Sequence, residues 1–262
     1  MFAFVNDRAS CFMDTVIVAM FAGTTAFDAM LNVDNDVAVA LRHEVHQLRN
    51  NAPRGWVITT LRQLMGGVWN NGEPQSAVDF LQTLLKLLGV VRFGRLRHMI
   101  AYIPRNRTAT PDIRWSSDED FSIHLAVAGQ HASLVDIFNL TETVLPDDAD
   151  SFATVQGIVL TEAPVLIFEV GRNASTALMS YGSTISATNA IAIAIDKVQY
   201  VLVSIVCRVG SHYMGFIWNS VAWGLYDDAH AGGLITAVHH PEQTHCAPSR
   251  YGELFFYIKQ DV

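Results

Sequence analysis

The chain is poor in cysteine and in charge. Its 262 residues include three cysteines, at positions 11, 207 and 246, and 16% are Asp, Glu, Lys or Arg. Three unevenly spaced cysteines predict no disulfide framework and cannot supply a four-thiolate zinc site. We therefore expect a reducing compartment, cytoplasmic or nuclear, with no bound metal and no cofactor. The formal net charge of −8 argues against nucleic-acid binding and suits a basic peptide partner.

Long apolar runs are also missing. No uninterrupted apolar stretch approaches the length that spans a bilayer, and Asp14 interrupts the only candidate for the apolar region of a signal peptide. Half of the residues are hydrophobic, and the length suits one large domain or two lobes with a substantial core. We expect a compact monomer that does not associate with membranes.

The hydrophobic patterns divide the chain into a helical part and a strand-rich part. Helical spacing predicts helices near residues 11–22, 37–48, 58–65 and 76–88, whereas apolar runs and alternation predict strands near 155–160, 165–170, 190–195 and 200–207. The polar segment 105–120 is typical of an insertion or a fingers-like hairpin. We predict an α+β domain over residues 1–262, with a helical lobe at about 1–98 and a β-rich lobe at about 99–262.

Cys11 is the first candidate for chemistry. Ser10 is a favourable N-cap residue, so Cys11 is expected in the first turn of a helix. The positive end of the helix dipole favours a thiolate there, which is the nucleophilic form of cysteine. The competing interpretation is a small buried apolar residue, which is the usual role of a free cysteine.

His212 and Asp227 complete a possible catalytic set. His212 begins an apolar stretch, residues 219–220 favour a turn, and a second apolar stretch leads into Asp227. Two strands joined by such a turn would place the carboxylate beside the imidazole, where it could fix the ring tautomer. The alternatives are a histidine satisfied within a β core and a pair of acids in a solvated turn. Nucleophile, base and acid together indicate a thiol protease.

Six segments, in order along the chain, resemble the ubiquitin-specific proteases, a papain-like family of cysteine deubiquitinases. Residues 6–14 are similar to the family's cysteine box, in which Asn, Gly, a small residue, Cys, Tyr, Met or Leu, and Asn follow one another. The other five are residues 75–81, similar to Gln-Asp-Ala-x-Glu-Phe-Leu; 164–172, similar to a Pro-x-x-Leu strand; 200–213, similar to the histidine box; 223–228, similar to Trp-x-x-Phe-Asp-Asp; and 254–257, similar to the closing strand.

The resemblance implies a papain-like fold, a helical thumb on a β-rich palm, and hydrolysis after the C-terminal glycine of ubiquitin. It implies Cys11 as nucleophile, His212 as general base, Asp227 as the third triad member and Asn6 as an oxyanion donor. The implied substrate-binding residues, which would face or line the channel for the ubiquitin tail, are Phe12, Asp79 and Tyr213. Asp79 also has a structural interpretation, because Ser76 and an acid three residues later resemble a helix capping box.

The chain departs from the family pattern in several places. Arg8 or Ala9 stands where the cysteine box has glycine, Ser76 replaces an aspartate, and Ser211 replaces a glycine. The two Cys-x-x-Cys pairs of the zinc-binding fingers are missing, and the chain is shorter than a typical family core, so we expect reduced fingers. These departures are typical of a compact, divergent member of the family, and we count a viral protein among the expected sources. Three functions stay open: a deubiquitinase or protease for a related modifier, a viral polyprotein or leader protease, and an inactive ubiquitin-binding module.

Overall fold

The computed structural model describes residues 3–7, 9–50, 53–89, 95–104, 112–116, 123–125, 141–144, 152–161, 164–170, 192–195, 198–230 and 232–260. Side-chain surroundings are described within 3–89, 164–169 and 198–260 of these ranges. Among the described residues, no helix has the length and apolar character that crossing a membrane requires.

Four helices occupy the first third of the chain: α1 (Cys11–Phe21), α2 (Asp36–Arg49), α3 (Thr60–Met65) and α4 (Ala77–Leu87). Sequence signals explain two of their starts. The Asn35 side chain accepts a hydrogen bond from the backbone N–H of Ala38 and caps α2, and the Ser76 hydroxyl accepts one from Asp79 N–H and caps α4. Two short 3₁₀ turns, Asp28–Asn32 and Gly67–Asn70, connect these helices.

Strands dominate the described residues after α4. They are β1 (Arg95–Pro104), β2 (Asp112–Ser116), β3 (Ile123–Leu125), β4 (Thr141–Val144), β5 (Phe152–Thr161), β6 (Val165–Val170), β7 (Ala192–Ile195), β8 (Val198–Val209), β9 (His212–Trp218), β10 (Trp223–Tyr226), β11 (Thr236–Val238) and β12 (Gly252–Lys259). A four-stranded antiparallel sheet has the order β2-β1-β5-β4, and a larger eight-stranded sheet has the order β11-β10-β9-β8-β12-β6-β3, with β7 paired to β8. Among the described strands of the larger sheet, β3 and β6 pair in parallel and the other pairs are antiparallel.

The large sheet carries apolar side chains on both faces because its central strands alternate. Tyr213 and Ile217 of β9 join the core that contains the helices, whereas Met214, Phe216 and Trp218 join a second core on the opposite face. A short helix, Pro248–Tyr251, and the segment before it close that second face. The sheet is therefore the middle layer of the molecule, with the helical lobe on one side.

Helix α1 lies directly on this sheet, and all of its residues are buried. The Ser204 hydroxyl of β8 donates a 2.6 Å hydrogen bond to the carbonyl of Ala19, and the Thr15 hydroxyl lies 3.4 Å from the carbonyl oxygen of Tyr213. A Cβ atom on Gly215 would lie 3.1 Å from the Thr15 methyl group, so a larger residue requires Thr15 or β9 to shift by a few tenths of an ångström. Glycine at 215 thus allows close contact between α1 and the strand that begins at His212.

These elements confirm the α+β prediction and the order of helices before strands. The predicted helix at 58–65 is shorter, and the predicted strands at 155–160 and 200–207 are longer, because the sheet extends their pairing. The predicted hairpin over residues 105–120 lies largely outside the described residues, although β2 falls within it and pairs with β1. The proposed division near residue 98 stays a prediction.

Candidate active site

Cys11 is the first residue of α1, as the sequence predicts, and its side chain is buried. Ser10 precedes the helix but does not cap it: its hydroxyl accepts a hydrogen bond from Asp7 N–H at 2.9 Å and donates one to Asp14 at 2.6 Å. The predicted capping role of Ser10 is therefore wrong. The reason is that its backbone is already helical (φ −79°, ψ −3°), a conformation that N-cap residues do not normally adopt.

The strand pair β8–β9 brings His212 to the start of α1. Gly210 adopts φ +66° in the two-residue connection between these strands, a conformation that glycine accepts without strain. In this arrangement the Cys11 Sγ lies 4.0 Å from the carbonyl oxygen of Ser211, which is the residue before His212. The imidazole is close enough to Cys11 for the thiol to raise the pKa of His212. Cys11 and Ser211, which are 200 positions apart in the sequence, thus meet where α1 crosses β9.

Asp227 reaches the same imidazole through the hairpin of β9 and β10. The Asn219 carboxamide oxygen accepts hydrogen bonds from the backbone N–H groups of Val221 and Ala222 in the connecting loop, and β10 then runs back antiparallel to β9. His212 Nε2 lies 2.8 Å from Asp227 Oδ1, so Nδ1 is the ring nitrogen that does not contact Asp227. Asp227 Oδ1 also accepts a hydrogen bond from Ala229 N–H at 3.0 Å. The predicted juxtaposition of His212 and Asp227 is present.

The electrostatics of this pair favour a charged imidazole. The hydrogen bond to Asp227 is the main cause that raises the pKa of His212 to about 10, with a further contribution from the contact with Cys11. The same hydrogen bond lowers the pKa of Asp227 below its ordinary value. At neutral pH the site therefore contains an imidazolium between a carboxylate and a thiol group, an arrangement that stabilises negative charge on sulfur.

Asn6 lies beside the acids of the site. Its backbone N–H donates to the carbonyl of Asp228 at 3.3 Å, and its side chain is close enough to lower the pKa of the Asp228 carboxyl group. The segment before Asn6 contacts both lobes. The Val5 N–H donates to the carbonyl of Trp56 in the helical lobe, and the Tyr226 hydroxyl of β10 donates to the carbonyl of Phe4. The oxyanion role predicted for Asn6 stays a prediction.

Asp14 and Asp228 form a buried pair of carboxyl groups that the sequence interpretation left without a role. Both side chains are at most 1% exposed, and each group acts on the pKa of the other. Burial is the main cause that raises the pKa of Asp228 to about 6 and the pKa of Asp14 well above its ordinary value. The signal in the sequence was an acid one turn after Cys11, in a helix whose other residues are apolar except for Thr15.

Two of the implied substrate-binding residues are buried in the core, and their role in substrate binding stays a prediction. Phe12 is fully buried and packs against Trp69 and Phe80, at ring distances of 5.8 and 5.7 Å. Tyr213 is also buried, and its hydroxyl accepts a hydrogen bond from Ala77 N–H at 3.3 Å. Neither side chain offers surface to a substrate in this conformation.

Asp79, in contrast, is exposed in the first turn of α4. The predicted cap is confirmed for Ser76, whose hydroxyl accepts the hydrogen bond from Asp79 N–H at 3.2 Å. Because the same helix begins against Tyr213 of β9, Asp79 lies on the part of the helical lobe next to the strand of His212. Its carboxylate is available to a basic ligand there.

Three possible metal ligands lie together at this site. Among the residues whose side chains are described, His212, Asp227 and Asp228 place ligand atoms within 4.8 Å of one another. His212 Nε2 lies 2.8 Å from Asp227 Oδ1 and 3.6 Å from Asp228 Oδ1, so the three groups pair with one another as an ion cluster. The expected absence of a metal stays a prediction.

No protein-family model matches the sequence, and no curated protein sequence matches it. Solved structures do match. The SAGA Ubp8/Sgf11/Sus1/Sgf73 DUB module bound to ubiquitin aldehyde contains a chain with 14% identity and a TM-score of 0.68, over 100% of this chain and 70% of that chain. The Ubp8-Sgf11-Sgf73-Sus1 SAGA DUB module gives 15% identity, a TM-score of 0.67, and coverage of 100% and 68%. The same module bound to monoubiquitin gives 13%, 0.64, and coverage of 100% and 70%. The chain therefore has the α+β, papain-like fold of the ubiquitin-specific proteases.

Proposed function

We propose that this protein is a cysteine peptidase that hydrolyses the bond after the C-terminal glycine of ubiquitin or a ubiquitin-like modifier. The observation that carries the proposal is the meeting of Cys11, from the start of the chain, with the hydrogen-bonded pair His212 and Asp227, from its last quarter. Packing alone does not require a thiol, an imidazole and a carboxylate in that order. The neighbouring structures were solved with ubiquitin aldehyde and with monoubiquitin, which supports ubiquitin as the modifier.

In the proposed reaction the sulfur of Cys11 attacks the carbonyl carbon of the tail's last glycine. His212, as an imidazolium, stabilises the thiolate before attack and donates its proton to the leaving amine. The amine leaves, and a thioester joins Cys11 to the modifier. Neutral His212 then removes a proton from water, which attacks the thioester and releases the modifier's carboxylate. Asp227 holds the imidazole through Nε2 in both steps.

The start of α1 offers a place for the developing oxyanion. The first backbone N–H groups of a helix have no partner within the helix, and they point toward the group in front of its N-terminus. Asn6 is a candidate for a side-chain donor, because it contacts Asp228 at the same site. Preorganised donors of this kind typically contribute on the order of a hundredfold in rate.

The test is a ubiquitin probe whose C-terminal glycine carries an electrophile that traps thiols. We expect wild-type protein to form a covalent adduct at Cys11, as shown by a mass increase and by peptide mapping. Cys11→Ala should remove the adduct, whereas Cys207→Ala should retain it, because Cys207 lies in the opposite core of the sheet. Failure of wild-type protein to react would contradict the proposal.

Probes that end in other ubiquitin-like tails separate the remaining candidates. Reaction with one such tail but not with ubiquitin would change the substrate and keep the chemistry. If no tail reacts but a small thiol-directed peptide probe labels Cys11, a polyprotein protease becomes the better description. If wild-type protein binds ubiquitin and Cys11 stays unmodified by every probe, the chain is an inactive binding module.

A further inference from the structure

The buried carboxyl groups of Asp14 and Asp228 have too few hydrogen-bond donors for two anions. Among the described side chains, Ser10 is the one that donates to Asp14, at Oδ2. In the described part of the chain, no hydrogen bond of ordinary geometry reaches Asp14 Oδ1 or either carboxyl oxygen of Asp228, although the Asn6 side chain is close enough to lower the pKa of Asp228 and His212 Nε2 lies 3.6 Å from its Oδ1. Two adjacent buried carboxylates repel each other and lose solvation, and such pairs usually retain a proton.

The position of the pair links it to the candidate catalytic residues. Asp14 lies one helical turn after Cys11, and Asp228 Oδ1 lies 3.6 Å from His212 Nε2. The other ionisable groups that act on the pair are Cys11, Tyr226 and Asp227, and His230 acts on Asp227. The positive charge of His212 next to Asp228 stabilises the ionised form of Asp228. If the pair carries one negative charge, that charge is therefore more stable on Asp228, and the shared proton is more stable on Asp14.

We propose that Asp14 is a neutral carboxylic acid that donates a hydrogen bond to Asp228 and so holds the Asp228 carboxylate beside His212 and Asn6. In this role Asp14 is a positioning residue. The cysteine box that residues 6–14 resemble has asparagine at this position, and an amide donates a hydrogen bond without charge. A protonated Asp14 supplies the same donor, whereas an ionised Asp14 would place a second anion beneath the thiol.

The proton itself can be observed without any substrate. Infrared spectra of the whole protein with isotope-labelled aspartate should show the carbonyl band of a protonated carboxylic acid at neutral pH. Asp14→Asn should remove this band, and Asp34→Asn, at an exposed position, should retain it. A spectrum of wild-type protein without the band would overturn the proposal, and this measurement requires no variant to fold.

Stability gives the second readout. The pKa of Asp14 is raised above 3.8 and that of Asp228 to about 6, so the stability that the shared proton contributes is complete below about pH 3.8 and is lost as pH rises through the folded-state values. Asp14→Asn has no proton to lose. Its urea midpoint should therefore rise relative to wild type as pH increases, while that of Asp34→Asn should keep a constant difference. Parallel curves for Asp14→Asn would refute the protonated state.

Rescue tests the positioning role, which rests on the proposed function. Asp14→Leu keeps the branching of the side chain at Cγ but has no donor, so we expect probe labelling to slow on the order of tenfold, and Asp14→Asn to restore most of the rate. NMR titration of His212 should show a changed pKa in the leucine variant alone. Equal effects of the two variants would mean that Asp14 only packs. If wild-type protein never reacts with a probe, the proposed function fails, and the infrared and NMR measurements still decide this inference.

Discussion

Asp227→Asn should separate the charge of the His212–Asp227 pair from its shape. Asparagine keeps the size of the side chain and an oxygen acceptor, and it removes the negative charge. The rise of the His212 pKa from 6.5 to about 10 corresponds to about 5 kcal/mol if it is all counted as stability. The imidazole is 28% exposed and also contacts Cys11 and Asp228, so we assign about 2 kcal/mol to the charge of Asp227.

The sign of the pH dependence follows from the raised pKa. A histidine with a higher pKa in the folded state contributes stability that is complete below pH 6.5 and is lost as pH rises through about 10. Asp227→Asn should thus be about 2 kcal/mol less stable than wild type at pH values just below 6.5, and the difference should shrink toward pH 10.

Urea denaturation at several pH values measures this difference, with Asp34→Asn as the control for loss of an exposed acid. If the free energy of unfolding depends on urea concentration with the same slope in both proteins, the variant alters stability and not the surface area that unfolding exposes. NMR titration of the His212 ring should show its pKa falling toward 6.5 in the variant. A stability difference that is the same at all pH values would refute the reasoning, since the lost interaction would then not be ionic.

Three further predictions concern the walls of the site. Asp79→Asn should weaken the binding of a basic modifier tail in a salt-dependent manner, with little change in stability. Ser76→Ala should instead cost about 1 kcal/mol of stability and leave the affinity for the tail unchanged. Calorimetry measures the affinity of each variant, and urea denaturation measures its stability. Arg62 is buried and donates to the carbonyl groups of Asp7 and Trp69, so Arg62→Met should slow probe labelling by loosening the loop before Cys11, and unchanged labelling would contradict this. Ala9 adopts φ +60°, so Ala9→Gly should stabilise the fold by about 0.5–1 kcal/mol in the same denaturation assay, and a loss would show that the residue is not strained.

The parts of the fold that the sequence predicts well are those that local patterns determine. The α4 helix is an example, because an apolar period, a serine cap and Gly89 at its end all lie within fourteen residues. The juxtaposition of His212 and Asp227 was predictable for a similar reason, since one short loop joins their strands. Both predictions depend on neighbours in the sequence.

Other features depend on contacts that the local patterns do not reveal. Ser10 looks like a cap until its neighbours Asp7 and Asp14 are seen to share its hydroxyl group, so that prediction is wrong. Phe12 and Tyr213 match channel residues by position in a motif, but their burial is decided by the packing of α4 over α1 and β9. The role of Asp14 could not be inferred without Asp228, which lies 214 positions later and is brought to it only by the complete sheet.

The burial of every residue of α1 has a consequence for the whole molecule. This helix contacts the sheet through Thr15 and Ala19 and the rest of the helical lobe through Phe12. Unfolding of the sheet or of the helical lobe would therefore expose the apolar surface of the other part. Either event would also separate the Cys11 sulfur from the His212 imidazole. Inactivation by heat or urea should consequently coincide with global melting, and a partly melted species that still reacts with a probe has no place in this architecture.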